Sequence, residues 1–392
     1  MKKVVITVAI IFVMFWPVKA SADDKSDTSL QNVYNEQASS IDTDSIERFI
    51  DELNRETEGY IPPINFKDFI NIFKSGQINF NIKEMFIGLL KYLLRDVLLN
   101  SKLMSKLIVI TIICAVLQNL ESAFGNDSVS NLAYYACYLL VVIIVVKSFS
   151  LAISIGKETI TKMSDFMIAL LPSLLTLIAS VGGVTSATIF DPLIIGAIQF
   201  MSYVVRDYVI PIIFLTTILS IIDNFSNTFH ISKLVSLLKQ VCKWTLGFTL
   251  TVSVGVITVR GAVSQTIDQV AVKTAKFAID NFIPVIGKCL SDAISTIASY
   301  SLILKDAIST IGLIALVIMC IFPLIKVASL ILIYKVSSAL IEPISDKRIV
   351  NCLNEVGNSL TMVFVSVLVV AVMFFIMVTI MASTGKMAVM GR

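Results

Sequence analysis

The chain has 392 residues, of which 56% are hydrophobic and only 15% are charged, and its formal net charge is +3. Soluble globular proteins carry about 25% charged residues, so this composition excludes an ordinary soluble protein. It predicts an all-α polytopic membrane protein, with about seven candidate spanning helices and further amphipathic helices at the membrane interface. The small net charge gives no indication of nucleic-acid binding.

The chain has six cysteines but only one histidine, His230. The cysteines are not in C-x-x-C spacing and most lie in apolar runs, which predicts small buried side chains rather than disulfides or a metal site. Phosphate-binding glycine loops, H-E-x-x-H and G-x-S-x-G are absent from the sequence. We therefore expect a protein that is not an enzyme and needs no cofactor or metal.

Residues 1–22 have the pattern of a secretory signal peptide. Lys2 and Lys3 form a basic end, Val4–Trp16 is an apolar core, and Ala20-Ser21-Ala22 fits the small-x-small cleavage pattern. Cleavage would place the mature N-terminus outside the cytoplasm. The alternative is an uncleaved membrane anchor.

We expect cleavage after Ala22, because the small-x-small pattern directly follows the apolar core. Mass spectrometry of the protein from its native host should find a mature chain that begins at Asp23. A mature pool that begins at Met1 or Lys2 would contradict this prediction.

Residues 23–100 are predicted to form an acidic, extracytoplasmic region of amphipathic helices. Ile46, Phe49 and Ile50 mark a first short helix. A longer helix follows Asn81, where apolar side chains recur at i, i+3, i+4 and i+7. Its other face is too charged for a regular span, so we expect it to lie flat on the membrane or to pack against a partner.

Two groups of apolar stretches follow, in residues 101–259 and in the C-terminal residues 307–392. The candidate spans are Leu103–Leu120, Val129–Val146, Phe166–Val184, Leu193–Ile222, Trp244–Val259, Ile308–Tyr334 and Leu360–Met381. Gly182-Gly183 and Asp191-Pro192 predict chain breaks. The fourth stretch holds Arg206 and Asp207 near its middle, so it is either one tilted helix or two halves. The pair is either a self-neutralised packing feature or part of a polar path.

Basic residues between the spans fall into three groups, which are predicted to be loops. They are Lys147, Lys157 and Lys162; Lys233, Lys239 and Lys243; and Lys335, Lys347 and Arg348. Pairs of spans separate the groups, so the positive-inside rule places all three in the cytoplasm. A cleaved signal conflicts with this order, because two spans would then leave the first group outside. Either the first stretch does not span alone, or the helix after Asn81 enters the membrane, or the signal stays in place.

A polar helical block, residues 260–306, lies between the fifth and sixth stretches. Its first part repeats apolar residues at Val263, Ile267 and Val270, with polar residues on other faces. After Pro284, one helical face is predicted to be polar. Its members are Lys288, Ser291, Asp292, Ser295 and Ser299. Because charges near lipid are costly, such helices lie at the interface, face a bundle interior or line water.

Several short segments in and after this block form a recognisable set. They are Val272-Lys273-Thr274-Ala275-Lys276-Phe277, Pro284-Val285-Ile286-Gly287, Leu290-Ser291-Asp292-Ala293 and Leu304-Lys305-Asp306-Ala307, followed by Tyr334-Lys335, Pro343 and Asp346. These segments resemble the stage III sporulation protein AE family of endospore-forming bacteria. The resemblance covers nearly the whole chain. The chain is rich in Lys, Ile and Asn, and in this composition it is similar to clostridial members of the family.

The resemblance implies a subunit of a channel-like complex across the two membranes around the engulfed forespore. It implies a place in the mother-cell membrane and a requirement in late forespore gene expression and spore formation. The expected partners are the other subunits of that complex, membrane lipid and further copies of this chain. Two alternatives stay open: a self-sufficient permease, although no internal repeat is visible, and a scaffold that only anchors other subunits.

Overall fold

The computed structural model describes residues 44–56, 82–124, 127–225, 231–282 and 287–384, and nearly all of them are helical. The helices in these ranges are α1 (Asp44–Glu56), α2 (Ile82–Leu99), α3 (Ser101–Phe124), α4 (Asp127–Ser180), α5 (Val184–Tyr203), α6 (Ile210–Phe225), α7 (Ser232–Phe282), α8 (Gly287–Ile341) and α9 (Lys347–Ser383). A π-helical segment, Val204–Val209, joins α5 to α6 without a break. The described residues form no strand, which confirms the all-α prediction.

Five helical units in the described ranges are long and apolar enough to cross a membrane. They are Tyr138–Ser180, Val184–Asn224, Ser232–Ala275, Thr296–Ile341 and Lys347–Ser383. Helices α2 and α3, bent by 43° at their junction, make a sixth crossing if they count as one span. The polytopic architecture is confirmed, whereas the count of seven is not. One reason is that the second and third predicted stretches belong to a single helix of 54 residues, α4.

The prediction that the lysine-rich segments are loops is wrong for all three groups, because Lys335 also lies inside α8, and Lys347 and Arg348 begin α9. Lys147, Lys157 and Lys162 lie inside α4, and Lys239 lies inside α7. The α4 segment contains one glycine, Gly156, and it serves packing: a Cβ there would lie 3.1 Å from the Cγ1 of Val363 in α9. Charged residues alone do not end a helix, because long charged side chains are good helix formers.

One predicted chain break is confirmed and one is wrong. Helix α4 ends before Gly182, whose φ of 93° is the left-handed conformation that favours glycine. Helix α5, in contrast, continues through Pro192. Membrane helices tolerate proline because neighbouring groups can satisfy the freed backbone carbonyl.

Interhelical hydrogen bonds define two ends of the bundle. At one end, which we call the Lys335 end, Lys335 near the end of α8 donates to Asn354 near the start of α9. Toward the other end, which we call the Asp268 end, Lys305 of α8 donates to the Thr384 carbonyl at the end of α9. At the Lys335 end, the Tyr138 hydroxyl of α4 donates to the Ile221 carbonyl of α6 at 3.0 Å. At the Asp268 end, the Asp268 carboxylate of α7 accepts from the backbone N–H of Thr185 and of Ser186, each at 3.0 Å. Helices α4, α7 and α9 therefore run from the Lys335 end to the Asp268 end, and α5–α6 and α8 run back.

Large apolar side chains fill the centre of this five-helix bundle. Phe149, Met163 and Phe374 are at most 1% exposed. Helix contacts inside lipid depend on close packing rather than on water exclusion. Gly312 of α8 illustrates this, because a Cβ at that position would lie 2.7 Å from a Leu170 methyl group of α4.

The two N-terminal helices pack on the sides of the bundle. In α1, Phe49 contacts Phe166 edge-on at 5.6 Å between ring centroids, and Glu52 pairs with Lys162 at 3.1 Å. Helix α2 packs along α8, where the Ser329 hydroxyl donates to Asp96. Tyr92 of α2 contacts Phe322 of α8 edge-on, whereas Leu94 and Leu98 of α2 stay 55% and 71% exposed. The position of this helix at the membrane surface stays a prediction.

Candidate functional site

A cluster of polar and charged side chains joins three helices near the Lys335 end. Lys335 of α8 donates through Nζ to Asn354 Oδ1 and to Asn358 Oδ1 of α9, each at 2.6 Å. Asn358 Nδ2 donates in turn to Glu355 Oε1 at 3.2 Å. Glu355 also forms an ion pair with Lys239 of α7. We call these five residues the Lys335 cluster.

Residue spacing on α9 explains how the cluster forms. Asn354 and Asn358 are four residues apart, so they lie on one helical face and can both reach Lys335. Gly357 leaves room for the Lys335 stem, because a Cβ there would lie 3.1 Å from the Lys335 Cε. Glu355, one position after Asn354, reaches α7 instead of α8.

The Lys335 cluster holds two ammonium groups and one carboxylate. The side chains of Lys239 and Glu355 are 19% and 31% exposed, so their ion pair is largely withdrawn from solvent. The described contacts of Lys335 are amide and carbonyl oxygens, which solvate its charge without neutralising it. Ionisable groups within helices of this kind are costly, and they commonly mark ion or substrate paths or fix helix register.

A second contact connects the cluster to α4. Tyr334, next to Lys335, is fully buried, and its hydroxyl is hydrogen-bonded to the Ser148 hydroxyl of α4. Lys147, beside Ser148, is therefore at the level of Lys335. Lys162 lies 15 residues further along α4, about 22 Å away at 1.5 Å per residue. The first group of basic residues is thus spread along a helix instead of gathered at one end.

The predicted polar face lies at the other end of α8 from the Lys335 cluster. Lys288 precedes Lys335 by 47 residues, which is about 70 Å of helix. Ser299 is half-buried, and the side chains of Lys288, Ser291, Asp292 and Ser295 lie outside the described part of the structure. The structure therefore does not bring the two sets together, and the polar face stays a prediction from spacing.

The four residues singled out from the family segments lie around the junction of α7 and α8. Lys273 is exposed on α7, Lys276 is on the same helix, and Gly287 begins α8. Pro284 lies between the described ranges. Lys305, from a neighbouring segment, is fully buried and donates to the Thr384 carbonyl at the end of α9.

Arg206 and Asp207 lie in the π-helical segment between α5 and α6. Arg206 Nε and Nη2 donate to the Asp207 carboxylate at 3.0–3.2 Å. Arg206 Nη1 donates to the Thr161 hydroxyl of α4 at 3.2 Å. The pair thus neutralises itself and ties the segment to α4, as a packing feature would. Arg206 also lines an open cleft between α4 and α5.

Sequence reasoning missed the Lys335 cluster as a group, and it missed Asp268. A signal for the cluster was present, because Asn354, Glu355 and Asn358 interrupt the start of an apolar helix. For Asp268 no local signal exists, since it binds backbone N–H groups more than 80 residues away in sequence. In contrast, the prediction of buried cysteines is confirmed for the four with described side chains, Cys114, Cys242, Cys320 and Cys352.

Comparison with known proteins gives two matches that cover most of the chain. The family model of stage III sporulation protein AE matches residues 64–385. The stage III sporulation protein AE of Bacillus subtilis (strain 168) is 35% identical over 368 residues, which are 94% of this chain and 92% of that protein. No solved structure matches the chain.

Proposed function

Because the chain belongs to the stage III sporulation protein AE family, we propose that it is a multi-pass subunit of a channel- or secretion-like complex. This complex links the mother cell to the forespore and lies in the mother-cell membrane around the forespore. It is required for late forespore gene expression and spore formation. The partners of the chain are other stage III sporulation proteins.

The filled centre of the five-helix bundle supports a subunit rather than a self-sufficient permease. Side chains such as Phe149, Tyr334 and Phe374 occupy the space between the helices and are at most 1% exposed. Any conduit then forms between this chain and other chains. Large apolar side chains on the outer surface, including Trp244 at 73% and Phe248 at 69% exposure, are available to lipid or to other subunits.

The helix directions support one orientation of the chain in the membrane. If the N-terminus is outside, the bent α2–α3 pair crosses inward once and α4 begins in the cytoplasm. The Lys335 end, with Lys239 and Lys347, is then cytoplasmic, as the positive-inside rule requires. The Asp268 end and the polar block 260–306 are on the outer side. The conflict in the sequence prediction disappears, because α4 crosses once where two spans had been counted.

Cysteine labelling should reveal this orientation. In a variant without native cysteines, Thr274→Cys on α7 should react with an impermeant maleimide in membranes whose outer face is accessible. Glu342→Cys, in the turn between α8 and α9, should react only after the cytoplasmic face is exposed. Both positions are exposed, so access to reagent depends on sidedness and not on burial. The reverse labelling pattern would contradict the orientation.

A deletion strain tests the proposed function. Cells that lack the chain should complete engulfment but fail to express a late forespore reporter, and the wild-type chain should restore expression. Normal reporter activity in the deletion strain would contradict the proposal. Solute uptake by vesicles that contain only the purified chain would favour the permease instead.

A further inference from the structure

An open cleft of about 540 Å³ lies between α4 and α5, next to the π-helical segment. Ser164 and Asp165 of α4 line one side, and Gln199, Ser202 and Arg206 line the other. This volume is within the range of small-ligand sites, about 300–1,000 Å³. π-Helical turns in α-helices are frequently found at functional sites.

The cleft contains polar groups that are not satisfied by the described residues. Ser202 is 4% exposed, yet its hydroxyl has no hydrogen-bond partner in the described ranges. Asp165 interacts electrostatically with Arg206, but Arg206 directs its described hydrogen bonds to Asp207 and Thr161. Guanidinium has five N–H donors, so Arg206 keeps two for a ligand. The cleft thus offers a carboxylate, a guanidinium edge and a buried hydroxyl together.

The lining of the cleft includes exposed aromatic side chains. A Cβ at Gly196, in its wall, would meet nothing within 4 Å. Phe200 and Tyr203, at its mouth, are 51% and 50% exposed. These residues favour a ligand that has a charged group at one end and apolar chains at the other.

The level of the cleft along the bundle fits a membrane surface. The helical unit Val184–Asn224 has 41 residues, about 60 Å in length, whereas the hydrocarbon core is about 30 Å thick. Arg206 precedes Asn224 by 18 residues, about 27 Å of helix, so a hydrocarbon core between these two residues has Arg206 at its edge. Charged side chains of α1 and α4 meet at a neighbouring level, where Glu52 pairs with Lys162.

We propose that the cleft binds a phosphoethanolamine group, the headgroup of a zwitterionic phospholipid. The phosphate accepts from the free edge of Arg206, and Asp165 accepts from the primary ammonium. Ser202 donates to a phosphate oxygen, and the acyl chains leave past Phe200. A phosphocholine headgroup has no N–H and cannot donate a hydrogen bond to Asp165. A phosphoglycerol headgroup has no cation at all, so both should bind more weakly than phosphoethanolamine.

Native mass spectrometry of the purified full-length chain tests this site. The probes are phosphatidylethanolamine, phosphatidylcholine and phosphatidylglycerol with identical acyl chains. Wild type should retain phosphatidylethanolamine about tenfold more strongly than the other two, the effect of one charge-assisted hydrogen bond. Asp165→Asn should abolish the preference over phosphatidylcholine. Glu158→Gln, which removes an exposed carboxylate of α4 outside the cleft, is the matched control and should keep it.

A second, independent test fills the cleft with a larger side chain. Gly196→Leu should remove lipid retention, whereas Gly247→Leu, at an equally open position on α7, should not. If soluble glycerophosphoethanolamine displaces the bound phosphatidylethanolamine, the cleft recognises the headgroup without its acyl chains and a soluble ligand can occupy it. If it does not, the ligand of the cleft is the lipid. Equal retention of the three lipids by wild type, or undiminished retention by Gly196→Leu, would overturn the proposal.

Discussion

Glu355→Leu is expected to lower the free energy of unfolding by about 2–3 kcal/mol, because it leaves Lys239 without its carboxylate partner between the helices. A fully buried pair would lose about 3–5 kcal/mol. The lower figure applies because the side chains of Lys239 and Glu355 are 19% and 31% exposed, so solvent screens part of the loss. The variant also removes the acceptor of Asn358, which holds Lys335 in turn.

Thermal unfolding in detergent measures this loss. A thiol-reactive dye reports when the four buried cysteines become accessible. The double variant Lys239→Met with Glu355→Leu should be more stable than Glu355→Leu alone, because it leaves no unpaired charge. Glu342→Leu, an exposed carboxylate in the turn before α9, should have little effect. If Glu355→Leu and Glu342→Leu unfold at the same temperature, the Lys335 cluster does not hold the helices together.

Ser291→Leu with Ser295→Leu is expected to block spore formation and late forespore gene expression while the protein stays inserted and abundant. The two serines belong to the predicted polar face, with Lys288 and Asp292 four residues apart on the same side. A lone charge turned to hydrocarbon costs at least about 2.5–3.5 kcal/mol on the insertion scale, so this face should meet water or partner subunits. Leucine removes the hydroxyls without disturbing the helix.

Heat-resistant spore counts and immunoblots of membranes separate the outcomes for the serine variant. Thr251→Leu with Thr258→Leu makes the same kind of change at two exposed positions of α7 and should sporulate normally. Ile294→Asp, on the apolar side of the predicted face, should instead lower abundance. Normal sporulation of the Ser291 and Ser295 double variant would remove the conduit role and leave the scaffold alternative.

The apolar pattern predicted most of the helices, because local periodicity determines which residues a helix presents to lipid or core. It did not predict where helices end. Lys157 and Lys162 indicated a loop by charge, yet α4 continues through them because lysine is a good helix former. Because α4 continues through these lysines, the second and third predicted stretches form one membrane crossing, and the direction of every later crossing changes with it.

The Lys335 cluster shows which part of the site could have been predicted. Lys335 lies six residues before the end of α8, and Asn354 lies seven residues after the start of α9. A short turn between two antiparallel helices places such positions opposite each other, so this pairing is readable from spacing. The contact of Glu355 with Lys239 cannot be predicted from spacing, because it joins residues 116 apart in sequence through tertiary packing.

Imaging the assembly purified from sporulating cells in mild detergent tests the central claim most directly. The account predicts a particle much larger than one 43.0 kDa chain, with this chain beside other stage III sporulation proteins and with block 260–306 against its neighbours or a central opening. A chain that purifies alone as a monomer, from cells in which sporulation is proceeding, would contradict it.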